Sequence, residues 1–284
     1  MPRRTGGDRV STIDWAKGVD TSIPSAARMY DWYLGGAHNF DVDREFGRKV
    51  ERIWPQIKPV ARNNRGFLQR VVRAAIGAGI TQFLDLGSGV PTVGNVHEIA
   101  LRYAKPGQAK VAYIDNEPVA VATSRSLLQQ QGHADWAIVE QADLREPESI
   151  VDSPEVNRVL DFDRPVCLLM VAILHFVGDE DKPAELVAKF RDRLASGSWF
   201  AVSHIACDEA PADQQDQVRR FCEAYKDTSN PLHLRNKAEF SALFNGFDIL
   251  SPGVVFLPDW RPEWRQRPDD PARPLAWCAV GQKP

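Results

Sequence analysis

Phe83-Leu84-Asp85-Leu86-Gly87-Ser88-Gly89 is the stretch on which the fold turns. A short apolar strand, Gln82–Leu86, runs into a Gly-x-Gly turn, and an amphipathic segment over Asn95–Tyr103 follows as a helix. Glycine tolerates positive φ and lets the backbone come close to a ligand. A nucleotide-type cofactor is the usual reason for such a turn, and a plain structural turn is the competing reading.

Downstream of this turn, short apolar runs alternate with amphipathic segments. Strands are expected at Lys110–Ile114, Trp136–Glu140, Val166–Leu174 and Trp199–Ile205, with Phe247–Phe256 and Trp277–Val280 as the final pair. Helices are expected at Pro118–Gln131, Lys182–Leu194, Gln214–Lys226 and Lys237–Phe244. Val166–Leu174 is the most apolar run and is assigned to the centre of the sheet, covered on both faces. This alternation predicts an α/β fold with right-handed crossovers and a mostly parallel central sheet, helices on both faces. Such sheets bind ligands at the carboxyl ends of their strands.

Upstream the pattern is helical. Pro24 opens one helix and Gly35-Gly36 closes it; Asp43–Trp54 is a second, stopped by Pro55; a third buries Phe67, Leu68, Val71, Val72, Ala75 and Ile76 and ends at Gly77 and Gly79. The chain therefore divides near residue 80, into a helical segment over 1–80 and an α/β domain over 81–284. Asp259–Pro274, rich in proline, arginine and aspartate, reads as a solvated connection rather than a lid.

Composition narrows the class. The 284 residues suffice for one large domain, and 43% hydrophobic with 26% charged residues is ordinary for a folded protein. A net charge of −3 supplies no global basic field, so nucleic acid is not indicated as a partner. Met1 to Asp14 is polar, and the longest apolar run is too short to span a bilayer, so a cytoplasmic protein without a membrane partner is expected. Cys167, Cys207, Cys222 and Cys278 are far apart, fit a reducing compartment and make no metal motif; His97 and Glu98 lack the second histidine a zinc helix needs. No metal is expected.

The residues around the turn select a cofactor. A dinucleotide fold needs a third glycine where Thr92 stands, and Gly-Lys-Ser/Thr is missing altogether. A cofactor with a ribose but no phosphate suits the turn better, and S-adenosylmethionine is one. Asp115 ends the second strand after Tyr113-Ile114, where a carboxylate accepts both ribose hydroxyls; capping the helix from Pro118 is the alternative. Asp143 ends the third strand, where it can take an adenine amino group while the N–H of Leu144 reaches a ring nitrogen, or simply shape a turn. His175, after the central strand, is placed to orient a substrate or act as a base, against the reading that a backbone carbonyl satisfies it.

Several runs together resemble a bacterial S-adenosyl methyltransferase family, found largely in actinomycetes and first catalogued as a domain of unknown function. They are Ile23-Pro24-Ser25-Ala26-Ala27-Arg28-Met29-Tyr30-Asp31-Trp32-Tyr33-Leu34-Gly35-Gly36, then Asn39-Phe40 and Asp43-Arg44, Asn64-Arg65-Gly66-Phe67-Leu68, and Gln82 through Thr92 running on to Asn95-Val96-His97-Glu98. Tyr113-Ile114-Asp115-Asn116-Glu117-Pro118, Gln141-Ala142-Asp143-Leu144-Arg145, Val171-Ala172-Ile173-Leu174-His175-Phe176-Val177 and Pro252-Gly253-Val254-Val255 complete the set, which covers nearly the whole chain. Trp32, Ala37 and His38 depart from the pattern, in a stretch that bears on substrate contacts. The resemblance implies the Rossmann-like fold of S-adenosylmethionine-dependent methyltransferases with a helical cover before the sheet. It also implies cofactor contacts at Gly87, Ser88, Gly89, Asp115, Asn116, Asp143 and Leu144. A more distant likeness to carboxyl methyltransferases makes Arg65, then Arg28, the partner of the methionine carboxylate.

The expected reaction is methyl transfer from S-adenosylmethionine, with S-adenosylhomocysteine as product, to a small-molecule acceptor. His175 and Tyr30 are the catalytic candidates. Tyr30, Tyr33 and Asn39 are expected in the lid, with Gly35-Gly36 as its hinge. Three rivals stand beside this reading. A nicotinamide oxidoreductase lacks its third glycine. A nucleic-acid methyltransferase lacks both a basic–aromatic stripe and an Asn-Pro-Pro-Tyr run. A non-catalytic sensor of the cofactor or its product would keep Asp115 and need no substrate space.

Overall fold

The computed structural model describes residues 22–91, 94–226, 228 and 230–284. The polar start of the chain and Thr92, on which two of the sequence readings rest, lie outside the described residues. Helices α1 (Ala26–Tyr33), α2 (Asp41–Ile53) and α3 (Ile57–Gly77) precede the sheet. There follow β1 (Gln82–Leu86), α4 (Val96–Tyr103), β2 (Lys110–Asp115), α5 (Pro118–Gln130), β3 (Ala137–Gln141), α6 (Pro147–Val151), α7 (Pro154–Val159) and β4 (Cys167–Val171). The chain continues with α8 (Pro183–Arg193), β5 (Trp199–Ile205), α9 (Ala212–Tyr225), α10 (Lys237–Ala242), β6 (Asp248–Ile249), β7 (Val255–Phe256) and β8 (Ala276–Gln282).

The eight strands form one sheet in the order β3-β2-β1-β4-β5-β8-β6, with β7 also paired to β8. The first five are mutually parallel, and β6, β7 and β8 run antiparallel to their neighbours. The order reverses between β1 and β4, which are direct neighbours, so their carboxyl ends open a crevice at the switch point. Side chains alternate faces along each strand. Phe83, Val111, Cys167, Leu169 and Ala201 enter one apolar layer with α2, α3 and α9, whereas Leu84, Leu86, Leu168, Met170 and Phe200 enter the other with α6, α7 and α8. Asp85 shares the face of Phe83, and so points toward the layer that holds α3. The helices before the sheet thus pack into one core with the strands, through Met29, Val50, Trp54 and Phe67.

Local chemistry sets the element ends. Glu98 accepts the N–H groups of Gly94 and Asn95 at the start of α4, and Glu117 accepts that of Ala120 in front of Pro118 at the start of α5. Most expected elements are present with ends displaced by a residue or two. Two expected strands are corrected. Val166–Leu174 stops at Val171, because Ala172 takes a left-handed conformation (φ 61°) and Leu174–Phe176 closes a tight 3₁₀ turn. Phe247–Phe256 is broken into β6 and β7 by Pro252, which has no N–H to give a ladder, and by Gly253 at φ 94°. Helices α6 and α7 were not anticipated; each opens on a proline, and Ser153 caps α7. The 259–274 connection is not simply solvated: Trp260 is fully buried against Phe67, and Arg70 donates to the carbonyls of Trp260 and Leu257, while Trp264 projects outward. No helix among the described residues is long and apolar enough to cross a membrane.

A buried ion pair locks the first two helices to the sheet. Arg28, 2% exposed, donates to Asp43 (2.8 Å), to Glu117 (2.7 Å) and to the carbonyl of Ile23 (2.7 Å). Asp43 is wholly buried and also accepts the N–H groups of Ser25 and Phe40. Removing the cation leaves a buried carboxylate unpaired, which is strongly destabilising even where the intact pair contributes little net. Arg28→Ala is therefore expected to lose about 3–5 kcal/mol of folding stability, read from the shift in the urea unfolding midpoint at unchanged slope.

Candidate active site

The Gly-x-Gly turn is held from beneath by β2. Gly87 and Ser88 both donate to the carbonyl of Ile114 (2.8 and 3.1 Å). Gly89 donates to Asp115 Oδ2 (2.7 Å), and Asp115 Oδ1 accepts the N–H of Glu117 (2.9 Å). One buried carboxylate thus ties the loop after β1 to the loop after β2. Gly87 stands at φ 69°, and a Cβ there would run into Ile173, so both backbone and space demand glycine. At Gly89, also left-handed, a Cβ would meet no protein atom. That glycine faces open space.

The space is a cleft of about 1230 Å³, its open mouth included. One half is polar, lined by Asp85, Gly87, Ser88, Gly89, Asp115 and Arg65. Burial pushes the carboxyl of Asp85 up to about 7; the Arg65 guanidinium opposes the shift and the Asp115 carboxylate adds to it. Burial likewise raises Asp115 to about 6, against the N–H groups of Glu117 and Gly89 that favour its charged form. Arg65 Nε and Ser88 Oγ are buried in this half without a hydrogen-bond partner. Buried polar groups of folded proteins are normally satisfied, so two orphans beside two buried carboxylates mark a place for a polar ligand.

The other half is apolar and aromatic, with Tyr33, Ile57, Phe176, Phe221, Tyr225 and Leu232 on its walls. Between the halves runs a chain of hydrogen bonds. The N–H of Ala172 donates to Ser203 Oγ (2.8 Å), Ser203 donates to Asn64 Oδ1 (2.5 Å), Asn64 donates to the Tyr30 hydroxyl (2.9 Å), and that hydroxyl donates to the carbonyl of Ala61 (3.2 Å). The chain holds Ala172 in its strained conformation and commits the Tyr30 proton. Burial also raises the pKa of Tyr30 and keeps its hydroxyl protonated, so no phenolate is available to act as a base. Tyr33 is buried, its hydroxyl paired to that of Tyr225 (3.2 Å).

His175 lies at the joint, 4% exposed. Its Nδ1 is buried with no partner, so the reading that a carbonyl satisfies the ring does not hold. Burial, with His204 and Arg235 nearby, drives its pKa well below 6.5 and keeps the ring neutral. His204 packs edge-on against it, ring centres 5.6 Å apart. His204 Nδ1 donates to the carbonyl of Ile205 (2.7 Å) and its Nε2 accepts from Arg235 (3.0 Å), and burial lowers its pKa to about 3. Arg235, 5% exposed, also donates to the carbonyls of Leu174 and Val177 and to Asp179, clasping the loop that carries His175. Sequence reading missed Asn64 as a site residue, and Ser203, His204 and Arg235 altogether. Ser203-His204, polar at the carboxyl end of a buried strand, was the available signal; Arg235 sits in an irregular segment that offers none.

Other expected site residues lie elsewhere. Asp143 and Leu144 do not line the cleft; Asp143 is paired bidentately with Arg145, whose guanidinium holds its pKa down, and Leu144 packs against the core. Asn39 is buried outside the cleft, donating to Asp31 (2.7 Å) and the carbonyl of Gly36. Gly36 is pressed against Asp31, and the Gly35-Gly36 turn is tied to α1 by backbone bonds to Trp32 and Asp31. Arg28 is spent on Asp43 and Glu117 and is not free for a ligand carboxylate. His97 is structural, bonded to Tyr113 and Gln131. Among the described residues no group of histidine, cysteine and acidic side chains could hold a metal ion.

A family model described as S-adenosyl methyltransferase matches residues 14–284. The chain belongs to the S-adenosyl methyltransferase family. The structure of a duf574 family protein from Streptomyces avermitilis is similar over 93% of this chain and 99% of that one, at 35% identity and a TM-score of 0.86. A protein of Thermobifida fusca assigned as a methyltransferase is similar over 94% and 97%, at 34% identity and a TM-score of 0.85. No curated protein matches the chain. The protein is thus a Rossmann-like, S-adenosylmethionine-dependent methyltransferase, and the residues of the polar half-cleft fit that cofactor: a guanidinium whose Nε is buried without a partner, an orphaned hydroxyl, two buried carboxylates and a glycine facing open space.

Asp85 gives a test of that half. Its folded pKa, about 7, lies above the ordinary carboxylate value. A raised acid favours the folded state most below its unfolded pKa, and that contribution is lost as pH climbs through 7. Without ligand, Asp85→Asn should therefore unfold a few degrees higher than wild type at pH 8, the advantage shrinking as pH falls from about 7 toward about 4. Thermal scans at these pH values, without cofactor, check it.

Proposed function

We propose that this methyltransferase acts on a small-molecule acceptor held in the aromatic half of the cleft, and releases S-adenosylhomocysteine as its product. The observation that carries the reading is the continuity of the two halves: a polar compartment on the Gly-x-Gly turn opens directly into an apolar one past His175 and Ile173. A sensor that only binds the cofactor has no use for the second compartment.

In this reading the chain's own groups divide the work. Each oxygen of Asp115 already accepts one backbone N–H and keeps a lone pair for a ribose hydroxyl. Asn116, exposed beside it, borders the adenine. Arg65 pairs with the methionine carboxylate through the guanidinium edge that now lacks a partner. Asp85, poised near neutrality, takes the ammonium group. The cofactor supplies a methyl group on a positively charged sulfur. Ser25 and, on helix α1, Ala26, Ala27, Tyr30 and Tyr33 line the cleft wall, so the helices over residues 26–77 serve as the cover that excludes water and aligns the reactants. His175, neutral and unpartnered, faces the acceptor.

Calorimetric titration with S-adenosylmethionine and with S-adenosylhomocysteine tests the assignment. Wild type should bind both with about micromolar affinity. Asp115→Ala should bind at least about tenfold to a hundredfold more weakly, the loss of charged hydrogen bonds to a ligand. Absence of binding to folded wild type would overturn the site.

A further inference from the structure

Among the described residues, every charged side chain on the cleft wall belongs to its polar half. Arg65, Asp85, Asp115 and Glu117 are the charged groups among the lining residues, and they cluster at the ends of β1 and β2 and on the facing α3. Among the described residues the aromatic half offers no countercharge. Its tyrosine hydroxyls are turned on each other, and Tyr225 also reaches Met29 Sδ (3.7 Å). Arg235, the buried cation behind its wall, is saturated by two carbonyls, His204 and Asp179. A carboxylate or an ammonium entering this half would be desolvated without a partner, which costs several kcal/mol or forces it to change protonation. What the half does offer, among the described residues, is the imidazole of His175 with unused capacity. The His175 ring makes no hydrogen bond with any described residue, and a neutral imidazole presents one donor and one acceptor. The clasp of Arg235 on Leu174 and Val177 and the edge-on His204 fix the ring in place, and its position next to Ile173, which abuts Gly87, sets it at the border with the polar half.

From this arrangement we infer that the acceptor is an uncharged aromatic hydroxyl compound, a phenol, whose hydroxyl hydrogen-bonds to His175 while its ring lies among Tyr33, Phe176, Phe221 and Tyr225. The inference rests on the cleft being a methyltransferase site, and it names the acceptor class for that site. A flat ring matches aromatic walls that have little polar surface to offer, and a single hydroxyl matches a single unsatisfied imidazole. Arg235 acts as a positioning residue that supports the ring from behind.

Binding of probe compounds to the full-length protein, saturated with S-adenosylhomocysteine, tests this without turnover. By calorimetry, 2-naphthol should bind at least about tenfold more tightly than 2-naphthoate or 2-naphthylmethylammonium, which carry the same ring with a fixed charge. His175→Phe should weaken 2-naphthol about tenfold, and His175→Gln, which restores a neutral donor and acceptor, should recover most of that loss. Equal or tighter binding of either charged probe overturns the assignment. So does unchanged 2-naphthol affinity in a folded His175→Phe protein. If His175→Phe does not fold, His175→Gln against His175→Leu carries the same comparison. Saturation by S-adenosylhomocysteine is measured first in each protein: its failure in wild type would sink the cofactor site, whereas normal saturation with no preference for the naphthol would sink only the acceptor class.

Discussion

The carboxylate of Asp115 sits inside the protein at the end of β2 and accepts a backbone N–H from each of two loops, Gly89 after β1 and Glu117 before α5. The rest of the cleft is arranged around that arrangement of one charge and two amides. Burial alone would neutralise the group, and its raised pKa shows how closely the penalty and the hydrogen bonds are matched. With the carboxylate in place, the Gly-x-Gly turn takes one shape, Gly89 looks into open space, and Glu117 is delivered to Arg28. Through Arg28 and Asp43 the same set of contacts reaches the first two helices. A cofactor site and the attachment of the helices that border it therefore share one electrostatic anchor.

A second polar chain crosses the carboxyl end of the sheet at the border between the halves of the cleft. Ala172 is held left-handed by Ser203, which leans on Asn64, which in turn orients Tyr30. A non-glycine residue in that conformation is a strained element, and strained elements persist where the surroundings over-determine them. The strain lets the chain turn sharply off β4, so that Ile173 closes on Gly87 and His175 swings to the border between polar and apolar space. Arg235 then fills the hydrogen-bonding needs of the same loop from behind. Stability is invested in placing one neutral imidazole, and that investment is the physical case for its having a ligand.

Much of the fold was legible because it depends on patterns local in the chain. The alternation of apolar runs with amphipathic ones marks strands and crossover helices, and glycine and proline mark most of their ends. The failures were also local in cause. Pro252 splits an apolar run that periodicity alone reads as one strand, and the short helices α6 and α7 contain too few residues for a periodic signal. The site was legible where residue type and strand end coincide, as at Gly87, Gly89 and Asp115. Asp143 also stands at the right place in the sequence, and in the structure its carboxylate pairs with Arg145 two residues on.

The sequence by itself determined the strand-turn-helix carrying the cofactor glycines, the carboxylate at the end of β2 and the family to which these motifs belong, because each is set by the identity and spacing of residues close along the chain. Only the tertiary structure decided which polar groups remain unpaired. Arg28 and Arg65 look alike as helix arginines, yet one is consumed by Asp43 and Glu117 and the other is left with a buried, unbonded edge. His204, on β5, and His175, on the turn after β4, are neighbours in space; the first is satisfied by Ile205 and Arg235, and Nδ1 of the second has no partner. Hydrogen-bond satisfaction is a property of three-dimensional neighbours, and no pattern in a linear sequence encodes it.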